Sequence, residues 1–251
     1  MYLCSTKQLK CRFAMNWETF KKNGFIVAGA CAVFNALRQV SLFQQVRNIA
    51  QWLWTLRHQN ELKGATEDER RQLFSASRPF THTYVFPELW VIGNIICGMA
   101  VYALMASHHM PRVLGWIFVI LAILRAFEIM VYHVNVLLFD PLIATNNNQQ
   151  YAIKSATRML LLLLCNMLEY VLCFSIVYVF FLPDIMTTTF WQPLALSISA
   201  FLNIGIEGLN VPSPALVRVI HAESILGIFM NLICIARFIN MLPSVNTIDK
   251  N

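Results

Sequence analysis

Six consecutive residues place two glycines around a single carboxylate. They follow the apolar, helix-length run Trp191–Leu202 and are, in order, Asn203, Ile204, Gly205, Ile206, Glu207 and Gly208. Glycine adopts backbone conformations that other residues reach only at a cost, so this stretch favours irregular backbone. Within a membrane, irregular backbone is tolerated only where it lines water or is buried in protein. The residues alone leave two interpretations open: a pore loop, or an apolar external loop packed over helix ends.

A second set consists of charged residues inside otherwise apolar stretches. Arg125 and Glu128 lie three residues apart in one stretch, and Glu169 lies in the next. A lone charge at the bilayer centre costs about 2.5–3.5 kcal/mol on insertion scales, so each needs a partner inside the protein. We expect these three residues to form a structural ion-pair network. A voltage sensor would repeat arginine every third residue, whereas positions 122 and 128 are alanine and glutamate.

No set of residues predicts catalysis, a cofactor or a metal site. His108 and His109 are adjacent, so on a helix their rings point apart, and no carboxylate is near. The chain has neither a phosphate-binding glycine loop nor a nucleophile elbow, and we do not expect an enzyme. Seven cysteines show no paired spacing that would predict disulfides or metal binding. They are Cys4, Cys11, Cys31, Cys97, Cys165, Cys173 and Cys234.

The composition is typical of a membrane protein. Hydrophobic residues make up 57% of the 251 residues and charged residues 13%, against about 25% charged residues in soluble domains. These fractions exclude a soluble enzyme, a disordered regulator and a secreted disulfide scaffold. Twelve of the 19 lysines and arginines precede residue 88. Such a basic flank sets membrane topology and attracts anionic lipid, and we expect no nucleic-acid partner.

Four stretches are long enough to cross a bilayer as helices, which takes about 20 mostly apolar residues. They are Leu89–Ala106, Val113–Phe139, Met159–Leu182 and Leu216–Leu242. The loop 183–215 contains no lysine or arginine, in contrast to the basic segment before Leu89. Because basic residues favour the cytoplasm, both termini are predicted inside and this loop outside.

The N-terminal segment contains an amphipathic pattern. Apolar residues at helical spacing between positions 42 and 56 oppose a polar face of Gln44, Gln45, Asn48, Gln51 and Thr55. We expect a helix on the inner leaflet or on a partner subunit, because a fifth span would place early lysines outside. The apolar residues are Leu42, Phe43, Val46, Ile49, Ala50, Leu53, Trp54 and Leu56.

Residues 155–242, the last third of the chain, resemble the two-helix pore module of the tetrameric potassium-channel superfamily. In that module an outer helix precedes a pore helix, a filter T-V-G-Y-G-D and an inner helix bearing E-x-x-x-G. Ser197–Pro214 aligns without gaps onto the family's loop, so that residues 203–208 fall on the filter. Glu223 and Gly227 match the inner-helix acid and its hinge glycine, and residues 235–237 (Ile-Ala-Arg) match a common helix end.

The resemblance implies four loops meeting on a symmetry axis, with Ser224, Gly227 and Asn231 lining the cavity. A helix–helix seam is the alternative for these small and polar residues. On the same resemblance, Glu223 supports the pore helix from behind rather than meeting ions.

The filter departs from the family at Glu207, which stands where the second filter glycine belongs. We therefore expect no potassium-type carbonyl ladder, but a ring of four carboxylates that attracts monovalent or divalent cations. The alternative is a Glu207 carboxylate turned away from the pore and accepting backbone N–H bonds from Gly208 or Leu209.

The predicted fold is an all-α membrane protein with four transmembrane helices, a re-entrant pore helix and an N-terminal amphipathic helix. Its parts are a cytosolic or interfacial segment 1–88, a two-helix segment 89–139, the pore module 155–242 with its loop 187–212, and a cytosolic tail 243–251.

The predicted function is a weakly selective homotetrameric cation channel of the inner or plasma membrane, gated at the cytosolic side by a stimulus or a partner protein. The alternative is a non-conducting scaffold or sensor that recruits a cytosolic effector through residues 1–88.

Overall fold

The computed structural model describes residues 17–62, 66, 69, 72–74, 80–83, 85–107, 109–146, 156–181, 190–205 and 214–241. Regular secondary structure in these ranges is helical, and they contain no strand. Four of the helices are long and apolar enough to cross a membrane. The all-α fold class and the prediction of four membrane-spanning helices are confirmed at this level, and the protein has the helices of a multi-pass membrane protein.

The helices, in chain order, are α1 (Trp17–Val40), α2 (Leu42–Arg57), α3 (Gln59–Leu62), α4 (Phe86–Ala106), α5 (Arg112–Val134), α6 (Asp140–Asn146), α7 (Ala156–Phe181), α8 (Gln192–Leu202) and α9 (Pro214–Met241). A 3₁₀ turn, Phe80–His82, precedes α4, and a π-helical segment, Asn135–Phe139, joins α5 to α6. The chain divides into two compact units: Met1–Gly93 with Asn146–Asn148, and Asn94–Thr145 with Gln149–Asn251. Each unit is described by itself.

In the first unit, α1 and α2 meet at a bend of 60°. Ser41 lies at the bend, where its hydroxyl oxygen accepts the backbone N–H of Gln44 at 3.2 Å and so caps the start of α2. The segments Gly24–Val40 and Leu42–Arg57 are together apolar enough to form one bent span. By length and composition, a fifth span therefore remains an alternative to an interfacial helix.

The predicted apolar face of α2 has two parts: one is half-buried and the other is exposed. Its half-buried part includes Phe43, whose ring stacks on Phe86 with centroids 5.4 Å apart. Trp54 packs edge-on against Phe74 at 4.9 Å. The apolar side chains that stay exposed on α2 are Leu42, Ile49, Trp52, Leu53 and Leu56. Aromatic contacts within the unit thus cover one edge of the face, and the other edge is open.

In the second unit, α7 is the most enclosed of the spanning helices. In the most apolar stretch of α7, 56% is buried inside the protein, against 17% in the corresponding stretch of α9. It packs against α5, α8 and α9, and its Tyr170 and Tyr178 are fully buried. The buried surface of α7 is therefore shared among three neighbouring helices.

The second span is longer than predicted. The sequence predicts its end at Phe139, but the helix continues through the π-helical segment to Ala144. The N–H of Asp140 bonds to the carbonyl of Asn135, five residues back, and Pro141 follows in the first turn of α6. Pro141 is thus a proline inside a continuous helix, where it donates no backbone hydrogen bond, and it lies directly after the π-helical turn.

Phe43→Ala should loosen the first unit, because it removes a half-buried ring stacked on Phe86. We expect a loss of about 1–2 kcal/mol, measured as faster proteolysis between residues 17 and 93 in detergent. The matched control is Leu53→Ala, since Leu53 lies on the same helix and is 53% exposed. Equal protease sensitivity of the two variants would contradict the assigned packing.

Candidate functional site

Helix α8 is too short to cross a membrane. Its 11 residues span about 16 Å, whereas the hydrocarbon core is about 30 Å thick. Pro193 lies in the first turn, and Asn203 ends the helix in the left-handed conformation with φ 55°. The N–H of Ile204 then donates to the carbonyl of Ser199 at 2.9 Å. This closing turn satisfies a terminal carbonyl and directs the chain away from the helix axis.

Three of the six predicted filter residues are described: Asn203, Ile204 and Gly205. All three are exposed in the subunit, Ile204 by 61%, and a Cβ placed on Gly205 would meet nothing within 4 Å. The other three, Ile206, Glu207 and Gly208, lie outside the described residues. The three described residues that follow α8 are therefore not covered by the rest of the subunit.

The carboxyl end of α8 contacts the central third of α9. The side-chain amide of Asn203 donates to the carbonyl of Ser224 at 3.3 Å. The amide of Asn231 donates to the carbonyl of Phe201, also at 3.3 Å. Gly227 lies between these two contacts, and a Cβ there would stand 2.7 Å from the same Phe201 oxygen. Only glycine lets the two backbones approach so closely.

These contacts show where the predicted cavity residues lie in the subunit. Gly227 is buried against α8, and Ser224 and Asn231 are half-buried on either side of it. Within one subunit this is the arrangement of a helix–helix seam, which small and polar residues favour in membranes.

Glu223 connects three helices. Its side chain is fully buried, at 0% exposure. One carboxyl oxygen accepts the hydroxyl of Tyr178 on α7, and the other lies 2.5 Å from the hydroxyl oxygen of Ser197 on α8. The Ser197 hydroxyl is also 2.9 Å from the carbonyl of Val171 on α7. A buried carboxyl group is tolerated in such a place only when it is hydrogen-bonded.

The amino end of α8 has its own contact with α4. The hydroxyl of Tyr102 donates to the carbonyl of Phe190 at 2.5 Å. The two rings also meet edge-to-face, with centroids 5.2 Å apart. The start, the middle and the end of α8 are thus each held by a polar contact to a spanning helix.

The three charged residues expected to pair lie together between α5 and α7. The guanidinium of Arg125 contacts both carboxylate oxygens of Glu169, at 2.5 and 2.9 Å. Its third nitrogen lies 2.7 Å from Glu128, one helical turn along α5. Arg125 is 13% exposed and the two glutamates 9% or less. A two-pronged contact of this kind is the geometry that guanidinium and carboxylate groups prefer.

Sequence reasoning missed three residues around α8: Ser197 within it, Tyr102, which bonds to Phe190 just before it, and Tyr178, which bonds to Glu223. Ser197 could have been noticed as one of few polar residues in an apolar run, but nothing in the sequence pairs it with Glu223, 26 positions later. Sequence reasoning also did not predict that His133, near the end of α5, and Asn135, at the start of the π-helical segment, are fully buried. One ring nitrogen of His133 bonds to the carbonyl of Ile129, and the side-chain amide of Asn135 donates to the carbonyl of Val131.

Arg125→Met should destabilise the second unit, because two carboxylates would lose their buried cation. Breaking a buried pair in this way costs about 3–5 kcal/mol, to be measured as the thermal unfolding midpoint in detergent. Replacing Glu128 and Glu169 by glutamine in the same chain should restore most of the loss. The control is Arg112→Met at the exposed start of α5. An equal shift for both arginine variants would show that the network contributes little.

Comparisons of the chain with protein-family models, with curated proteins and with solved structures find no match. The features of the protein that bear on its function are the contacts around α8 and the sequence of the loop that follows it.

Proposed function

We propose that the protein is a homotetrameric cation channel with a non-classical, acid-containing filter. It would be weakly selective and gated from the cytosolic side, with monovalent or divalent cations as the permeant species. In this proposal α8 is a re-entrant pore helix, residues 203–208 are the filter and α9 is the inner helix.

The observation that carries the proposal is the contact between the end of α8 and the central third of α9. A spanning helix is near mid-membrane at its centre, so an apolar helix that ends at this level enters the membrane without crossing it. The exposed, non-helical residues from Asn203 to Gly205 would then lie at membrane depth. Irregular backbone is tolerated there only where it lines water or is buried in protein. A water-filled pore meets that need.

A single subunit does not close such a pore. Four copies related by rotation would bring the open sides of their loops together on one axis. The exposed face of α9 is apolar, with Ile225, Ile228, Leu232, Ile235 and Ile239 all at least 45% exposed. Neighbouring subunits and lipid would cover this face in the assembly.

The charges favour cations over anions. The segment 183–215 contains no lysine or arginine, and it contains Glu207. The carboxyl end of α8, where a helix carries a partial negative charge, is the end next to the loop. Rings of carboxylates and aligned carbonyl groups attract cations and repel anions. By the distribution of basic residues, the channel would lie in an inner or plasma membrane with both termini in the cytoplasm.

A non-conducting scaffold is the second candidate. It is favoured by the open edge of α2, where Ile49, Leu53 and Leu56 are exposed. A cytosolic effector could bind this edge through apolar contacts. The two candidates differ in whether the purified protein passes ions.

The test of the proposal is ion flux through the purified full-length protein in liposomes, with its mass in detergent measured in parallel. We expect passage of cations, exclusion of anions and a tetramer. A monodisperse monomer would exclude the shared pore. A tetramer that passes no ion under any applied voltage or ionic condition would favour the scaffold.

Glu207→Gln should weaken block by divalent cations and lower the preference for cations over anions, because the variant keeps the size of the side chain and removes its charge. The matched control is Asp184→Asn, which removes the other carboxylate of the 183–215 segment. Unchanged selectivity and block in Glu207→Gln would mean that Glu207 faces away from the pore. The channel would then depend on Gly205 and the backbone around it.

A further inference from the structure

We propose that Glu223 is a positioning residue that, through Ser197 and Tyr178, locks α8 to the central third of α9, so that the two move as one body. The inference deepens the proposed function, because it names what holds the filter loop in place. Its consequence is that the last span cannot bend at Gly227 without moving the loop.

The lock begins at the middle of α8. Ser197 is the sixth of the 11 residues of this helix, and its hydroxyl meets the Glu223 carboxyl of α9 and the Val171 carbonyl of α7. Tyr178 of α7 bonds to the other oxygen of the same carboxyl group. One buried side chain therefore fixes the position of α8 against both of its neighbours.

The end of α8 is held by the same stretch of α9. Asn203 bonds to the Ser224 carbonyl, and Asn231 bonds to the Phe201 carbonyl. From position 223 to position 231 these contacts extend over about 12 Å of helix. They occur on both sides of Gly227, whose Cα carries no side chain to separate the helices.

This arrangement changes what the predicted hinge glycine does. A bend at Gly227 would pull Glu223 and Asn231 apart along α8 and break at least one of their bonds to it. A buried hydroxyl or carboxyl group left without a partner is costly. Movement within α9 therefore either occurs outside residues 223–231 or carries α8 and the exposed residues 203–205 with it.

Variants at position 223 can distinguish the effect of its hydrogen bonds from the effect of the volume that its side chain fills. Glutamine at position 223 can accept the Tyr178 hydroxyl with its carbonyl oxygen and donate its amide N–H to Ser197, which then donates to Val171. Alanine or leucine can do neither, and both leave two buried hydroxyl groups without this partner. Rescue by glutamine but not by leucine is thus the mark of positioning by hydrogen bonds.

The test measures the rate of disulfide formation between Asn203→Cys and Ser224→Cys in the full-length protein in liposomes. The background has alanine in place of its native cysteines, which are Cys4, Cys11, Cys31, Cys97, Cys165, Cys173 and Cys234. We expect Glu223→Leu to slow the reaction by about tenfold, and Glu223→Gln to leave it within about twofold. Ser197→Ala added to Glu223→Leu should slow it no further, because both remove the same contact.

The control is Glu169→Gln, a buried carboxyl group on α7 that bonds to Arg125 and not to α8. It should lower thermal stability without changing the rate. Equal slowing by Glu169→Gln and Glu223→Leu would overturn the inference, as would an unchanged rate in Glu223→Leu. If Glu223→Leu does not fold, Tyr178→Phe and Ser197→Ala must each slow the reaction, and an unchanged rate in both would also overturn it. The readout needs no current, so a protein that cross-links as expected but passes no ions would sink the channel proposal alone.

Discussion

The fully buried carboxyl group of Glu223 is the contact on which the arrangement around α8 depends. In a membrane no water is available to satisfy a polar side chain, so this group must find its partners inside the protein. It finds them on two different helices, Tyr178 of α7 and Ser197 of α8. A helix of 11 residues has little surface of its own with which to hold a defined depth and tilt. Lipid is as apolar as the surfaces of these helices, so apolar packing alone does not hold α8 in one position. Hydrogen bonds at the middle of α8 do so instead.

The same constraint explains the second polar network and its place on α7. Arg125 and Glu169 join α5 to α7, nine residues before Tyr178 joins α7 to α9. α7 therefore carries both sets of buried bonds, and it is also the most enclosed span. The neighbouring helices are therefore each bonded to α7 through buried polar groups. The ion pairs hold α5 against it, and the hydroxyl–carboxyl contacts hold α8 and α9.

The seam between α8 and α9 connects this packing to the proposed ion path. Gly227 lets the backbones of α8 and α9 meet at Phe201. Asn203 and Asn231 each donate a hydrogen bond across the seam, on either side of this close approach. The loop that follows is left exposed by the subunit. In a channel, this combination would give the filter loop a rigid support on one side and leave its other side to neighbouring subunits and water.

The sequence alone determined the four spans and the charges that need partners inside them. Hydropathy over about 20 residues is a local property, and Arg125 and Glu128 are one helical turn apart, so both could be predicted without a fold. Tertiary structure decided the rest. The second span continues through a π-helical segment and past Pro141 to Ala144. Ser197 meets Glu223, and Tyr102 meets Phe190, across 26 and 88 residues of chain. Such pairs depend on how helices pack, and no spacing within one helix encodes which hydroxyl group will face which carboxyl or carbonyl group on another.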